Sequence, residues 1–128
     1  MTETVLDASA LLTFLNDEPG SDKVQSCLDR AVISAVNLSE AASVLIRIGM
    51  PEQTARSILA DLPLKVVAFD DAQALAAAAL FPATRPAGLS LGDRACLALA
   101  QSLGATALTA DRAWSNLKLG IKIETIRV

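Results

Sequence analysis

The chain has 128 residues, 52% of them hydrophobic, with Ala, Leu, Val and Ile dominant, no Tyr and one Trp. That is enough for one domain burying roughly 65–70% of its unfolded surface, and it is too apolar for a disordered segment. The formal charge of −3 argues against a broad basic face, and the absence of histidine excludes Ser–His–Asp and Cys–His catalysis, histidine general bases and the usual mixed zinc sites.

Taken in order, the chain opens on Thr2 and Glu3 rather than a basic leader, and no apolar run reaches the ~18 residues of a membrane span. A cytoplasmic protein with no membrane partner is expected. Thr4-Val5-Leu6 is a short β-prone run ending at Asp7. Ala8 to Leu15 continues as a helix until Asn16-Asp17-Glu18-Pro19-Gly20 stops it. Ser21 caps a polar helix to about Arg30, and Ala31 to Ser34 is a second strand. Asn37 or Ser39 opens a helix through Glu40, Val44, Leu45 and Ile48 that ends at Gly49. Pro51 starts another, with Ala55, Ile58 and Leu59 on its apolar side.

Leu64 to Phe69 reads as a third strand, followed by an alanine-rich helix to about Leu80 capped by Asp70 or Asp71. Pro82 and Pro86 bound a loop. A helix from about Leu91 to Leu103 closes at Gly104, Ala105 to Thr109 is a fourth strand, and a helical turn spans Arg112 to Leu117. Lys122 to Arg127 is the last strand. Short apolar strands alternating with helices predict an α/β fold with a mainly parallel sheet covered on both faces. There is no repeat, linker or second domain, and the sheet order does not follow from these segments. Cys27 and Cys96 form no CxxC pair and read as reduced, buried thiols. The aliphatic excess leaves apolar surface for a partner.

Single carboxylates stand at the edges of the most apolar segments: Asp7 in VLDAS, Glu40 in NLSEA, Asp93 in SLGDRACLALA and Asp111 in TADRA. In a parallel sheet, ligand chemistry collects outside the carboxyl ends of the strands, where all four would meet. Each has a local alternative. Asp93 and Glu40 would complement a helix dipole, and Asp7 and Asp111 would serve as helix caps. As a group they behave differently. Two carboxylates about 5 Å apart repel by roughly 3 kcal/mol at an effective dielectric near 20, so a converging set needs a cation. All-oxygen ligands suit Mg²⁺ or Mn²⁺, which clamp phosphate oxygens and activate water. Removing four acids from the net −3 leaves the remainder of the chain at +1, so a phosphate-rich substrate stays open.

VLDASALL, NLSEAASVL, LSLGDRACLALA and LTADRAW, in that order from Val5 to Trp114, resemble the successive signatures of PIN domains, and most closely those of VapC-type toxins of toxin–antitoxin pairs. The resemblance implies a single PIN-like domain over residues 1–128, a three-layer α/β/α fold around a short, mainly parallel sheet. It also implies a metal-dependent ribonuclease, a hydrolase, with acidic positions falling on Asp7, Glu40, Asp93 and Asp111. Asp7, Asp93 and Asp111 are the metal candidates, and Glu40 would bind a second metal or orient the attacking water. The family's hydroxyl positions fall on Ser9 and Thr109, and its Asn on Asn37; these would hold a carboxylate or a water. Asn37 reads equally as the N-cap of its helix. Water activated by Mg²⁺ or Mn²⁺ would attack the phosphodiester and leave a 5′-phosphate and a 3′-hydroxyl. Arg94 and Arg112, each following an acid, are candidate RNA contacts or else solvated or salt-bridged arginines. The implied partners are the RNA substrate, a cognate antitoxin and a second copy of the chain, with the helices around Val44–Ala60 as candidate surfaces.

Three other readings compete. A receiver-like signalling domain would use Asp70-Asp71 after the third strand, but needs a paired acid at Asp7 and a late Lys that Lys118 and Lys122 supply poorly. A haloacid-dehalogenase-like phosphatase would want an Asp where Ser9 stands. A non-catalytic PIN-like RNA- or protein-binding module is the remaining alternative.

Overall fold

The computed structural model describes residues 3–126. Strands β1 (Thr4–Leu6), β2 (Ala31–Ser34), β3 (Lys65–Val67), β4 (Thr106–Thr109) and β5 (Ile123–Thr125) form one sheet in the order β3-β2-β1-β4-β5, with every neighbouring pair parallel. The helices are α1 (Ala8–Leu15), α2 (Ser21–Gln25), α3 (Ala35–Arg47), α4 (Glu52–Ala60), α5 (Asp71–Ala79), α6 (Phe81–Thr84) and α7 (Leu91–Leu103). The chain leaves β1 towards β2 and β3 on one side and returns to β4 and β5 on the other. The crevice beyond β1 and β4 is therefore the topological switch point, where open parallel sheets place their ligands.

Alternation along the strands separates two cores. Val5, Val32 and Ala107 point to one face and pack under α7, α5 and Trp114. Leu6, Ala31 and Leu108 point to the other and meet Ala10, Val24, Cys27 and Leu28 from α1, α2 and the following turn. A third cluster of Leu11, Ile33 and Ala41 joins α1 to α3. Every residue from Ala95 to Ala100 is buried, because α7 lies between the sheet and α5 while also touching α3. A helix enclosed on so many sides needs apolar residues all round, and its alanines allow the close approach.

Several elements differ from their sequence expectations. The expected helix from Ser21 to Arg30 breaks after Gln25 and resumes as a 3-10 turn, Leu28–Arg30, which lets Val24, Cys27 and Leu28 all reach the core. Helix α3 opens at Ser34, whose Oγ accepts from Val36 N at 3.2 Å, and not at Asn37 or Ser39. The segment expected as a loop between Pro82 and Pro86 holds α6 and a 3-10 turn, Arg85–Ala87, since proline at a helix start loses no hydrogen bond. The strands are shorter than Leu64–Phe69, Ala105–Thr109 and Lys122–Arg127, and Thr2 and Arg127 lie outside the described residues. Helix α7 and its closure by Gly104, at φ 61°, match the expectation to the residue. Both cysteines are free and buried. Among the described residues no helix is long and apolar enough to cross a membrane.

Candidate metal centre

Asp7 follows β1 directly, caps α1 by accepting from Ala10 N at 2.8 Å, and is 4% exposed. Its carboxylate is held from the β4 side as well. Thr109 Oγ1 donates to Asp7 Oδ2 at 2.5 Å, and Ser9 Oγ donates to Oδ1 at 2.7 Å. Each hydroxyl is itself anchored by backbone: Ala110 N donates to Ser9 Oγ at 2.9 Å, and Asp111 N donates to Thr109 Oγ1 at 3.0 Å. The turn after β4 thus fixes two hydroxyls, and the hydroxyls fix the acid. Burial is the largest influence on this carboxyl and outweighs the bonds from Thr109, Ala10 and Ser9, pushing it up to about 6, with the charge of Asp93 adding to the rise.

Asp93 is the third residue of α7 and forms a capping box: Ser90 Oγ accepts from Asp93 N at 3.2 Å, and Asp93 Oδ2 accepts from Ser90 N at 2.9 Å. Glu40 lies in the second turn of α3, past the reach of the helix N-terminus, so dipole complementation does not explain it. Much of its side chain is in water, but the carboxylate lies against Gly92. Loss of water there raises its pKa, the Asn37 bond opposes the rise, and Asp93 adds to it. Asn37 is buried inside α3, not at its cap. Its Nδ2 donates to Glu40 Oε1 and to Gly92 O, both at 3.0 Å, tying α3 to the start of α7. Behind the acids lies Cys96, whose buried thiol is raised chiefly by burial and further by Asp7, Asp93 and Glu40 together.

Asp111 is exposed, and its Oδ1 caps the 3-10 turn Arg112–Asn116 by accepting from Ala113 N at 2.9 Å. Its backbone N–H donates to the Thr109 hydroxyl that also holds Asp7. Arg112 is exposed beside it. Arg94 is half-buried, and none of the ion pairs among the described residues includes it. Its Nη1 donates to Ala77 O at 3.1 Å and its guanidinium stacks 5.3 Å from the Phe81 ring centroid, committing it to α5 and α6. Asp70 caps α5 through Gln73 N at 2.9 Å, three residues past an edge strand that β2 separates from β1, which removes the basis of the receiver reading.

The chain matches the PIN domain family over residues 4–119. It belongs to that family. No curated protein matches the chain. Among solved structures, this PIN domain is similar to a chain of the DNA-bound VapBC complex of Salmonella typhimurium, at 20% identity and a TM-score of 0.76, covering 98% of this chain and 99% of the other. A chain of a Klebsiella pneumoniae toxin–antitoxin complex gives 17% identity and 0.76, over 98% and 100%. The Mycobacterium tuberculosis toxin VapC20, described as cleaving the sarcin–ricin loop, gives 13% and 0.73, over 94% and 99%. At these identities the likeness is one of fold.

The donor set of this PIN domain suits a hard divalent cation in kind: oxygen ligands only, no histidine, and thiols buried away from solvent. It is not a finished cage, since among the described residues no three Asp, Glu or Cys groups stand close enough to hold a metal ion. Two further observations bear on whether these residues fit a cation. None of the ion pairs among the described residues touches Asp7, Glu40, Asp93 or Asp111. Asn37 Oδ1 is buried without a hydrogen-bond partner beside Glu40. The amide is correctly oriented, because both partners of Nδ2 are acceptors.

Proposed function

We propose that the chain is a metal-dependent endoribonuclease of the VapC type, the toxin of a toxin–antitoxin pair. The observation that supports this reading is the placement of Asp7 at the β1/β4 switch point, its carboxylate held by Ala10, Ser9 and Thr109, with the charge of Asp93 acting on both Asp7 and Glu40. Membership of the PIN family and the shared fold with chains of toxin–antitoxin complexes support it. Asp7 and Asp93 would be the first metal ligands, with Asp111, in the turn after β4, next and acting through water. A bound Mg²⁺ or Mn²⁺ supplies charge neutralisation at the phosphate oxygens and lowers the pKa of water. Glu40 orients the attacking water and takes its proton. Ser9 and Thr109 hold Asp7 in one rotamer, which keeps its lone pairs aimed while the phosphodiester is in place. Arg112 contacts RNA phosphate, whereas Arg94 supports α7 from behind. With few aromatics, selection rests on RNA shape more than on base stacking.

The same reading supplies a cognate antitoxin and a second copy of the chain as partners. The surface offered to them is a groove of about 530 Å³ between α3, α4 and β3, lined by Leu38, Ala42, Ile46, Ala55, Leu59 and Val66.

The test is incubation of the purified protein with structured RNAs, first with Mg²⁺ or Mn²⁺ and then with EDTA. Metal-dependent cleavage leaving 5′-phosphate and 3′-hydroxyl ends, abolished by Asp7→Ala and by Asp93→Asn in folded protein, is expected. Cleavage that persists in EDTA or in both variants would sink the assignment.

A further inference from the structure

Gly92 has no role in the capping box around it, yet it occupies a position where glycine is a poor choice. It is the second residue of α7, it is buried, and its φ lies outside the left-handed region, so no backbone conformation requires it. Alanine favours a helix more than glycine does. What glycine provides is space. A Cβ at this position would fall 2.5 Å from Glu40 Cδ and closer still to both carboxylate oxygens. The Glu40 carboxylate therefore lies in the volume that any side chain would fill.

We propose that Gly92 is a positioning residue: its bare Cα is the seat of the Glu40 carboxylate, and Asn37 is the clasp that keeps it there. The clasp is a single buried amide, 1% exposed, whose Nδ2 donates at 3.0 Å both to Glu40 Oε1 and to the Gly92 carbonyl oxygen. One group thus binds the acid and the floor of its seat together. Because Asp93 directly follows Gly92, the seat also sets how near Glu40 stands to Asp93, against their mutual repulsion. A side chain free to rotate away from a like charge would do so; the seat and the clasp prevent it.

The inference rests on the nuclease reading and assigns Gly92 and Asn37 to the placement of its water-orienting acid. The conflict in Gly92→Ala is with the far end of a flexible side chain, not with backbone. The fold should therefore accept the substitution and Glu40 should move. Four proteins test this: wild type, Gly92→Ala, Glu40→Gln and the double variant. Gly92→Ala is expected to melt at or above the wild-type temperature while kcat for RNA cleavage falls about 10–100-fold, the usual cost of misplacing a supporting group. In the Glu40→Gln background the same substitution should change kcat no further, since its effect passes through Glu40. A crystal structure of Gly92→Ala should show the carboxylate out of its seat and the Asn37 bond to it broken. The proposal is overturned by full activity in Gly92→Ala, by an equal loss in both backgrounds, by a Tm well below wild type, or by Glu40 still seated. If the wild type cleaves no RNA, the nuclease reading fails by itself. The melting temperature and the crystal structure then decide the seat: displaced Glu40 in an equally stable protein supports it, and seated Glu40 overturns it.

Discussion

Replacing Asp7 by Asn should stabilise the metal-free protein at neutral pH. Asp7 titrates near 6 in the fold against 3.8 for an ordinary aspartate, because burial removes more hydration than its hydrogen bonds return. A raised folded pKa means that the carboxyl's contribution to stability is fully present below about pH 3.8 and is lost as pH rises through about 6. At pH 7 the ionised side chain costs the fold on the order of 3 kcal/mol relative to its neutral form. Asparagine keeps the shape and stays neutral, with Oδ1 available to Ala10 N and Nδ2 able to donate to a hydroxyl oxygen. Because those hydroxyls must reorient, the expected gain lies between about 1 and 3 kcal/mol, or up to roughly 10 °C in Tm. Thermal scans in EDTA from pH 4 to 8 measure it. The two proteins should diverge as pH rises, and Mg²⁺ should then raise the Tm of the wild type and leave Asp7→Asn unmoved. A variant less stable than wild type at pH 7 in EDTA would refute the reasoning, because Asp7 would then not be a charge the fold holds at a cost.

Other outcomes follow from the same contacts. Proton and cation compete for Asp7, so Mn²⁺ affinity by calorimetry should fall about tenfold per pH unit below about 6 and level off above it. Thr109→Val removes the hydroxyl that donates to Asp7 Oδ2, and should lower stability by about 1–3 kcal/mol while carrying the Asp7 titration, followed by carboxyl NMR, above its wild-type midpoint. Arg94→Ala should lower Tm through loss of the Ala77 bond and the Phe81 stack, without changing the salt dependence of RNA binding. Arg112→Ala should do the reverse: unchanged Tm, weaker RNA binding, and a log–log salt slope reduced by about 1.

Local rules made the elements with clear punctuation legible. Ser90 and Gly104 bracket α7, and Ala8–Leu15 runs from a capping Asp to an Asn-Asp-Glu-Pro-Gly stop, so both helices follow from their own residues. The misplaced boundaries are those decided by tertiary contact. Ser26 is no helix breaker, but the helix ends there because Val24, Cys27 and Leu28 must all face inward. Ser34 begins α3 although it is the last residue of a strand, a double duty that hides the true cap from the pattern. At the site, the acids were visible as isolated carboxylates beside apolar runs. The choice between cap and ligand was not, and the structure explains why. Asp7 and Asp111 act as N-caps and Asp93 closes the capping box of Ser90, so each has a local role that would serve equally well beside a cation. Gly92 carried the signal least visible in sequence: a glycine inside a first turn with no conformational need for it. Only the side chain lying over it, 52 positions away in the chain, gives it meaning.

The central claim is that these carboxylates form one cation site at the β1/β4 edge. An anomalous-difference map from crystals soaked in Mn²⁺ tests it most directly. A peak bonded to carboxylate oxygens of Asp7 and Asp93, absent from the Asp93→Asn protein, is the predicted result. A map with no peak at this edge, or with Mn²⁺ held by other residues while Asp7 keeps only its bonds to Ser9, Ala10 and Thr109, would contradict it.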